Sequence, residues 1–228
     1  MAKKLALFGS TGFIGGAISR KFTDMGWEVI PVLHRAGSDG GIFWDINQQI
    51  PKALTSQGPF DSVCWAQGVN LNDSIYSFDI QSHQQVYSAN VEYILITLSQ
   101  LIKAGSLKKA ARLCVISSIW QNISRQDKLS YAVSKAALQG LILSLANDMA
   151  RDGHLVNAVL PGALDTPMTR KNLAASQIEL IENATAFKHL PQVQDVVNTV
   201  YFLGSDENTG VTGQFIKVDL GFSDVRNF

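Results

Sequence analysis

The stretch KLALFGSTGFIGG, residues 4–16, decides the fold. KLALF is a short apolar run that reads as a strand, and it runs straight into Gly9-Ser10-Thr11-Gly12-Phe13-Ile14-Gly15-Gly16. A helical pattern follows from Phe13 to about Met25. A strand, a glycine-rich turn and a helix together make a site for a dinucleotide's phosphates. Glycine permits the tight turn and the close approach of backbone to pyrophosphate, and the helix start offers free N–H groups and the positive end of its dipole. Two registers fit. The first sets Gly9, Gly12 and Gly15 at intervals of three; the second starts at Gly12 and uses Gly16, but then places Ile18 where a glycine is wanted. Gly9 directly follows the strand, as a tight turn requires, so the first register is expected, with Gly9 to Gly15 as the cofactor-binding turn.

Outward from this unit, short apolar runs alternate with helical patterns. Strands are expected at 28–33, 41–44, 61–66, 112–118, 155–160 and 214–218. Helices are expected at 80–103, 129–151 and 193–203, with a polar stretch running to about Leu190. Continuous apolar strands alternating with helices predict an α/β protein with a parallel sheet of about seven strands, doubly wound and covered on both faces. A length of 228 residues fits a single domain over 1–228. Two helices are apolar nearly all round. A sheet buries only one side of each, which predicts a second copy of the chain on the other side, a homodimer at least.

Lys plus Arg and Asp plus Glu number 19 each, so no charge excess points to nucleic acid. The apolar run after the N-terminal lysines is too short for a signal-peptide core, and no stretch approaches the roughly 20 apolar residues of a membrane span. Cys64 and Cys114 lie in strand-like runs without metal spacing and read as buried reduced thiols in a cytoplasmic protein. The four histidines are scattered, and no metal site is expected.

The segment SYAVSKAALQ, 130–139, places Tyr131 and Lys135 one helical turn apart on one face. A second signal lies after the strand ending at Leu33, where an NAD site usually places an acid for the adenosine ribose. His34 and Arg35 stand there, with no carboxylate until Asp39. An arginine's planar charged fork suits a 2′-phosphate, so NADP(H) is expected to be preferred, with NAD(H) usable.

Taken in order, these motifs resemble the short-chain dehydrogenase/reductase family, and the likeness runs from Lys4 to Gly221. Its shorter branch, similar to 3-oxoacyl-acyl-carrier-protein reductases, fits best, and the resemblance implies a Rossmann-type fold. The family's Asp-hydrophobic pair near the adenine matches Asp45-Ile46. Its cofactor-binding segment after the fourth strand falls on Ala66, Gln67 and Gly68, of which Gly68 fits the family's pattern. Its helix asparagine matches Asn90, the serine ending the fifth strand matches Ser118, and Tyr-x-x-x-Lys matches Tyr131 and Lys135. The Pro-Gly segment matches VNAVLPGALDTPM, 156–168, with Pro161, Gly162, Leu164 and Thr166 at the cofactor. The resemblance implies that Tyr131 exchanges the proton at a carbonyl or alcohol oxygen and that Ser118 positions that oxygen. It implies that Lys135 lowers the phenol's pKa and holds the nicotinamide ribose, and that Asn90 keeps a water linking Lys135 to solvent. The implied activity is an NADP-dependent interconversion of a ketone and a secondary alcohol on a small molecule, and the implied assembly is a homotetramer.

Three departures stand out. The usual Asn-Asn-Ala-Gly is Trp65-Ala66-Gln67-Gly68, the usual Gly-Gly near the end is Leu220-Gly221, and the glycine turn has the spacing of the longer, sugar-nucleotide-modifying branch. The turn spacing leaves open a sugar-nucleotide epimerase or dehydratase, and a non-catalytic dinucleotide sensor is the reading from another class. A segment at about 166–190 is expected to cap the substrate pocket, with Trp120, Gln121 and Gln67 facing the same space.

Overall fold

In the computed structural model, residues 2–34, 40–166, 169–170 and 174–225 are described. Arg35, on which the cofactor preference rests, lies outside them. Seven parallel strands form one sheet in the order β3-β2-β1-β4-β5-β6-β7. They are β1 (Lys4–Phe8), β2 (Glu28–Leu33), β3 (Ile42–Phe43), β4 (Phe60–Trp65), β5 (Leu107–Ile116), β6 (Leu155–Pro161) and β7 (Phe215–Val218). The helices are α1 (Phe13–Asp24), the short α2 (Lys52–Thr55), α3 (Ile80–Tyr87), α4 (Tyr93–Lys103), α5 (Leu129–Asp148), α6 (Ala175–Ala184) and α7 (Val193–Gly204).

The two-residue period of the strands separates two cores. On one face, Ala6, Phe8, Val63, Trp65 and Leu113 pack with Ile94 and Leu98 of α4 and Leu138 and Ile142 of α5. On the other, Leu5, Leu7, Cys64, Cys114 and Val159 pack with Ile18 and Phe22 of α1 and Val196 and Val200 of α7. This is why the strands read as unbroken apolar runs. Cys64 and Cys114 sit opposite one another on β4 and β5 and are free thiols, both buried. A hydrogen bond with Cys114, and then burial, push the Cys64 thiol up.

Four boundaries depart from the sequence reading. The helical pattern over 80–103 is two helices joined by a widened π turn, Ser88–Glu92. The helix expected to reach 151 stops at Asp148, and a separate 3₁₀ turn covers Ala150–Asp152. β5 begins at Leu107, five residues early, because Leu107 pairs with Phe60 before a register shift. The polar stretch before Leu190 contains α6, whose apolar Ile178 is buried while Leu180 is exposed. The expectation about membrane-length segments also needs correcting: α5, at 20 residues, is long and apolar enough to cross a membrane. Here it packs into the protein, with Ser130, Ser134, Lys135, Leu138 and Ile142 buried.

Candidate active site

The strand order reverses between β1 and β4, and ligands of open α/β sheets bind at the carboxyl ends of strands flanking such a point. The glycine turn leaves β1 there. Gly9 has φ +80°, and a Cβ on it would lie 2.5 Å from the Gln67 nitrogen. A Cβ on Gly15 would lie 2.1 Å from the Gly9 carbonyl oxygen, whereas one on Gly16 meets nothing closer than 3.5 Å. The Gly12 N–H closes the turn onto the Gly9 carbonyl at 3.0 Å. Gly12 makes no side-chain cap for α1, so the first-turn N–H groups face outward unpaired by a cap. These contacts match the first register.

A slot of about 250 Å³ opens beside the turn, walled by Gly9, Thr11, Gly12, His34, Ala66 and Gln67, with Gly68 and Val69 continuing it. Ala89 and Tyr93, which no sequence motif singles out, complete the wall. Both polar atoms of the Gln67 carboxamide are buried without a hydrogen-bond partner. A turn too tight for side chains, an uncapped helix start and an orphaned amide fit a bound dinucleotide. Asp45 and Ile46 are not brought to this slot. Asp45 Oδ1 accepts from the Asn47 backbone and side-chain amides, both at 3.0 Å, and Ile46 packs on the α4-side core.

The second cluster gathers at the end of β5. Lys135 Nζ donates to the Ile116 carbonyl at 3.1 Å and lies 5.7 Å from the centre of the Tyr131 ring. Ser118 is buried two residues past β5, and its hydrogen bond to Tyr131 favours the phenolate. Burial outweighs that bond and holds the Tyr131 phenol above its ordinary pKa, so the acidification expected from Lys135 is not what this geometry produces. Lys135 itself is 3% exposed, and burial pulls its ammonium down to about 8.

Asn90 sits in the π turn and fastens the two clusters together. Its Oδ1 accepts from the Val69 N–H at 2.9 Å, and its Nδ2 donates to the Val69 carbonyl at 3.0 Å and to Ser134 Oγ at 2.9 Å. A Cβ on Gly68 would lie 3.1 Å from Asn90 Oδ1 and 3.6 Å from Lys135 Nζ, so the slot reaches the lysine directly.

Beyond Tyr131 lies a cavity of about 510 Å³ between Ile119–Lys128 on one side and α6 with Thr185 and Pro191 on the other. Trp120 lines it, as expected. Gln121 instead turns inward, its Oε1 accepting from Ser117 Oγ at 2.8 Å, and Gln67 belongs to the nucleotide slot. Gly162 is held on the Val218 carbonyl at 3.0 Å, and its missing Cβ leaves room for Asp219. Leu164 packs into the α1/α7 core, and the Thr166 hydroxyl accepts from the Thr169 N–H at 3.0 Å. At the other departure, Leu220 takes φ +51°, a left-handed conformation that glycine adopts without strain.

Residues 45–223 match the family model described as enoyl-(acyl carrier protein) reductase. A 3-oxoacyl-[acyl-carrier-protein] reductase of Rickettsia felis is 29% identical over 232 residues, covering 96% of each chain. Among solved structures, a short-chain dehydrogenase family protein from Francisella tularensis superposes with a TM-score of 0.85 at 24% identity, covering 98% of this chain and 99% of that one. A blue fluorescent protein from a metagenomic library, in complex with NADPH, gives 0.84 at 24% identity, covering 97% and 98%.

Proposed function

This chain belongs to the short-chain dehydrogenase/reductase family of NAD(P)-dependent oxidoreductases acting on CH–OH or C=O groups, and we propose that it is an NADP(H)-dependent enzyme interconverting a ketone and a secondary alcohol of a small molecule. The observation that carries the reading is the meeting of Ser118, Tyr131 and Lys135 at the end of β5, continuous through Gly68 with the nucleotide slot. Nicotinamide, when bound, supplies or takes the hydride. The protein's part is the proton and the orientation. Ser118 Oγ holds the substrate oxygen, and Tyr131 Oη gives or takes its proton. Lys135, brought to about 8 by burial, would hold the ribose hydroxyls of a bound cofactor and return protons towards Tyr131. Asn90 is a positioning residue: it fixes the loop after β4 against α5, and a water at the widened turn around it would connect Lys135 to solvent.

The preference for NADP(H) is supported by the lack of a carboxylate at His34 and by the NADPH seen in the metagenomic relative. A self-association through α4 and α5 is supported by Leu95, Ile102, Val133 and Leu143, all more than 40% exposed on their outer faces. A panel of ketones with NADPH and with NADH, run on the native chain and Arg35→Ala, tests the reading. NADPH should give the higher efficiency, and Arg35→Ala should lose several-fold more with NADPH than with NADH. No cofactor oxidation with any ketone would overturn it.

A further inference from the structure

Lys128 stands one turn before Tyr131, as Lys135 stands one turn after it, and its Nζ lies 5.6 Å from the centre of the same ring. Unlike Lys135, it lines the large cavity. It is 4% exposed, and its hydrogen bonds go to neutral oxygens only: Asn70 Oδ1 at 2.7 Å, the Asn72 side-chain oxygen, and the Leu71 carbonyl at 3.5 Å. Arg125 lies over the Trp120 ring at 5.9 Å and lines the same cavity. Among the described residues, neither cation makes an ion pair with a carboxylate.

The carboxylates nearby are engaged elsewhere. Asp73 accepts from the Ser130 N–H and hydroxyl, which also caps the start of α5 and removes the helix end as a separate anion site. Asp219, on the cavity wall, accepts from the Gly221 and Ser223 N–H groups at 3.0 Å each. Asp73, though not in contact with Lys128 Nζ, and the exposed Asp127 next to it offset its charge only in part. A buried ammonium without a carboxylate paired to it is costly. The repulsion of Arg125 adds to burial in pulling Lys128 below its ordinary range. Ile119, Trp120, Ile123, Leu180, Ile181 and Phe222 give the cavity its apolar walls, with Asn70, Ser124, Gln177 and Thr185 as neutral polar groups among them.

We propose that the substrate is an organic anion, an oxo acid or its hydroxy counterpart, whose carboxylate or phosphate oxygens are bound by Lys128 and Arg125 while its apolar part lies between Trp120 and α6. This rests on the carbonyl/alcohol reading above and names the substrate class for it. Charge-assisted bonds from a buried ammonium and a guanidinium favour an oxyanion over its neutral ester. The place of Lys128 beside Tyr131 sets the anion a short chain from the reacting carbon.

The test uses 4-oxopentanoate, its methyl ester and 4-oxopentyl phosphate, each with NADPH, on the native enzyme and on Lys128→Met, Lys128→Arg and Arg125→Gln. Calorimetric titration of the two anions without turnover accompanies the kinetics. The native enzyme should favour an anion over the ester in kcat/KM by about tenfold or more, the scale of a charge-assisted hydrogen bond. Which anion gains more assigns carboxylate or phosphate. Lys128→Met should bring that ratio close to one, Arg125→Gln should reduce it less, and Lys128→Arg should restore most of it. If Lys128 only pins residues 70–72, acid and ester lose equally and the ratio stands, which overturns the inference. Equal native efficiencies overturn it too, while leaving the reductase reading intact. If no ketone is reduced, the catalytic reading fails alone when Lys128→Met abolishes anion binding; absence of saturable anion binding sinks the inference as well.

Discussion

The two sides of Tyr131 are built by different means. Towards the sheet, the site is a frame of backbone contacts: Gly9 against Gln67, Gly15 against Gly9, Lys135 on the Ile116 carbonyl, and Asn90 on both polar groups of Val69. Towards α6, the cavity is walled by side chains from separate stretches, with cations held by neutral amides and by an aromatic face. A backbone frame tolerates few residue types at each point, because a Cβ of 1.5 Å reach already collides. A side-chain wall tolerates many, so it can change with the substrate while the hydride and proton chemistry stays in place. The shared chemistry therefore lies on the sheet side, and the selection lies on the cap side.

The comparison breaks most sharply at Tyr131. Tyr131→Phe keeps the ring between the two lysines and removes only the hydroxyl. Turnover should fall by about two orders of magnitude or more, the range of acid–base contributions. NADPH affinity, measured by fluorescence titration, should change little. Near-normal turnover in a folded variant would move the proton chemistry off this residue.

Next in size is Gly15→Ala. The new methyl would sit 2.1 Å from the Gly9 carbonyl oxygen, so the turn must open. NADPH binding should weaken by about tenfold or more, and stability should drop by roughly 1–3 kcal/mol, as for overpacking elsewhere.

A smaller effect of opposite sign is expected at Lys135. In the unfolded chain a lysine titrates near 10.4, and in the fold burial brings it to about 8. Between those values the unfolded state binds more protons, so native stability rises with pH across the window. The penalty is present in full below about 8 and is gone above the unfolded value. Lys135→Met removes a penalty on the order of 3 kcal/mol but leaves the Ile116 carbonyl unpaired, at about 1–3 kcal/mol. Urea unfolding at pH 7 should show a variant as stable as the native chain or up to about 2 kcal/mol more so, and inactive. By pH 10 the advantage should reverse. A loss of stability at pH 7 as large as at pH 10 would mean that the ammonium is not strained by burial.

How much of this was legible follows the same division. The sheet, its strand sequence and the spacing from Ser118 to Tyr131 and Lys135 are carried by periods of 2 and 3.6 and by fixed offsets, which a sequence displays. The π turn at Asn90 is not, because one extra residue in a helical turn barely disturbs the apolar period over 80–103. Helix α6 was hidden because it buries only one apolar residue, Ile178, and leaves Leu180 exposed, too little for a helical period to show. Asp45 fits the family pattern in sequence but satisfies its own turn through Asn47, a local bond that competes with any ligand. Lys128 had a signal that could have been used. It precedes Tyr131 by three residues as Lys135 follows it by four, which puts two ammonium groups on the one ring. Its lack of a paired carboxylate, though, depends on where Asp73 and Asp219 point, and that is tertiary.

The smallest expected effect is also the one that most tightly fixes the register of the nucleotide turn. Gly16 is adjacent to Gly15 and lies inside α1, yet a Cβ there would sit 3.5 Å from the Ser10 carbonyl oxygen and 3.8 Å from an Arg20 guanidinium nitrogen, ordinary contacts both. Alanine suits a helix interior better than glycine by up to about 1 kcal/mol. Gly16→Ala should therefore leave NADPH affinity within about twofold and raise the unfolding midpoint slightly, since the unfolded chain also loses freedom. In the alternative register, which uses Gly16 where the backbone must approach the pyrophosphate, the same methyl would stand in the ligand's way and the affinity would collapse. Measuring both alanine variants side by side separates the two. Loss at Gly15 with none at Gly16 places the phosphates over Gly9–Gly15, and the reverse pattern would shift the whole cradle one helical turn along α1.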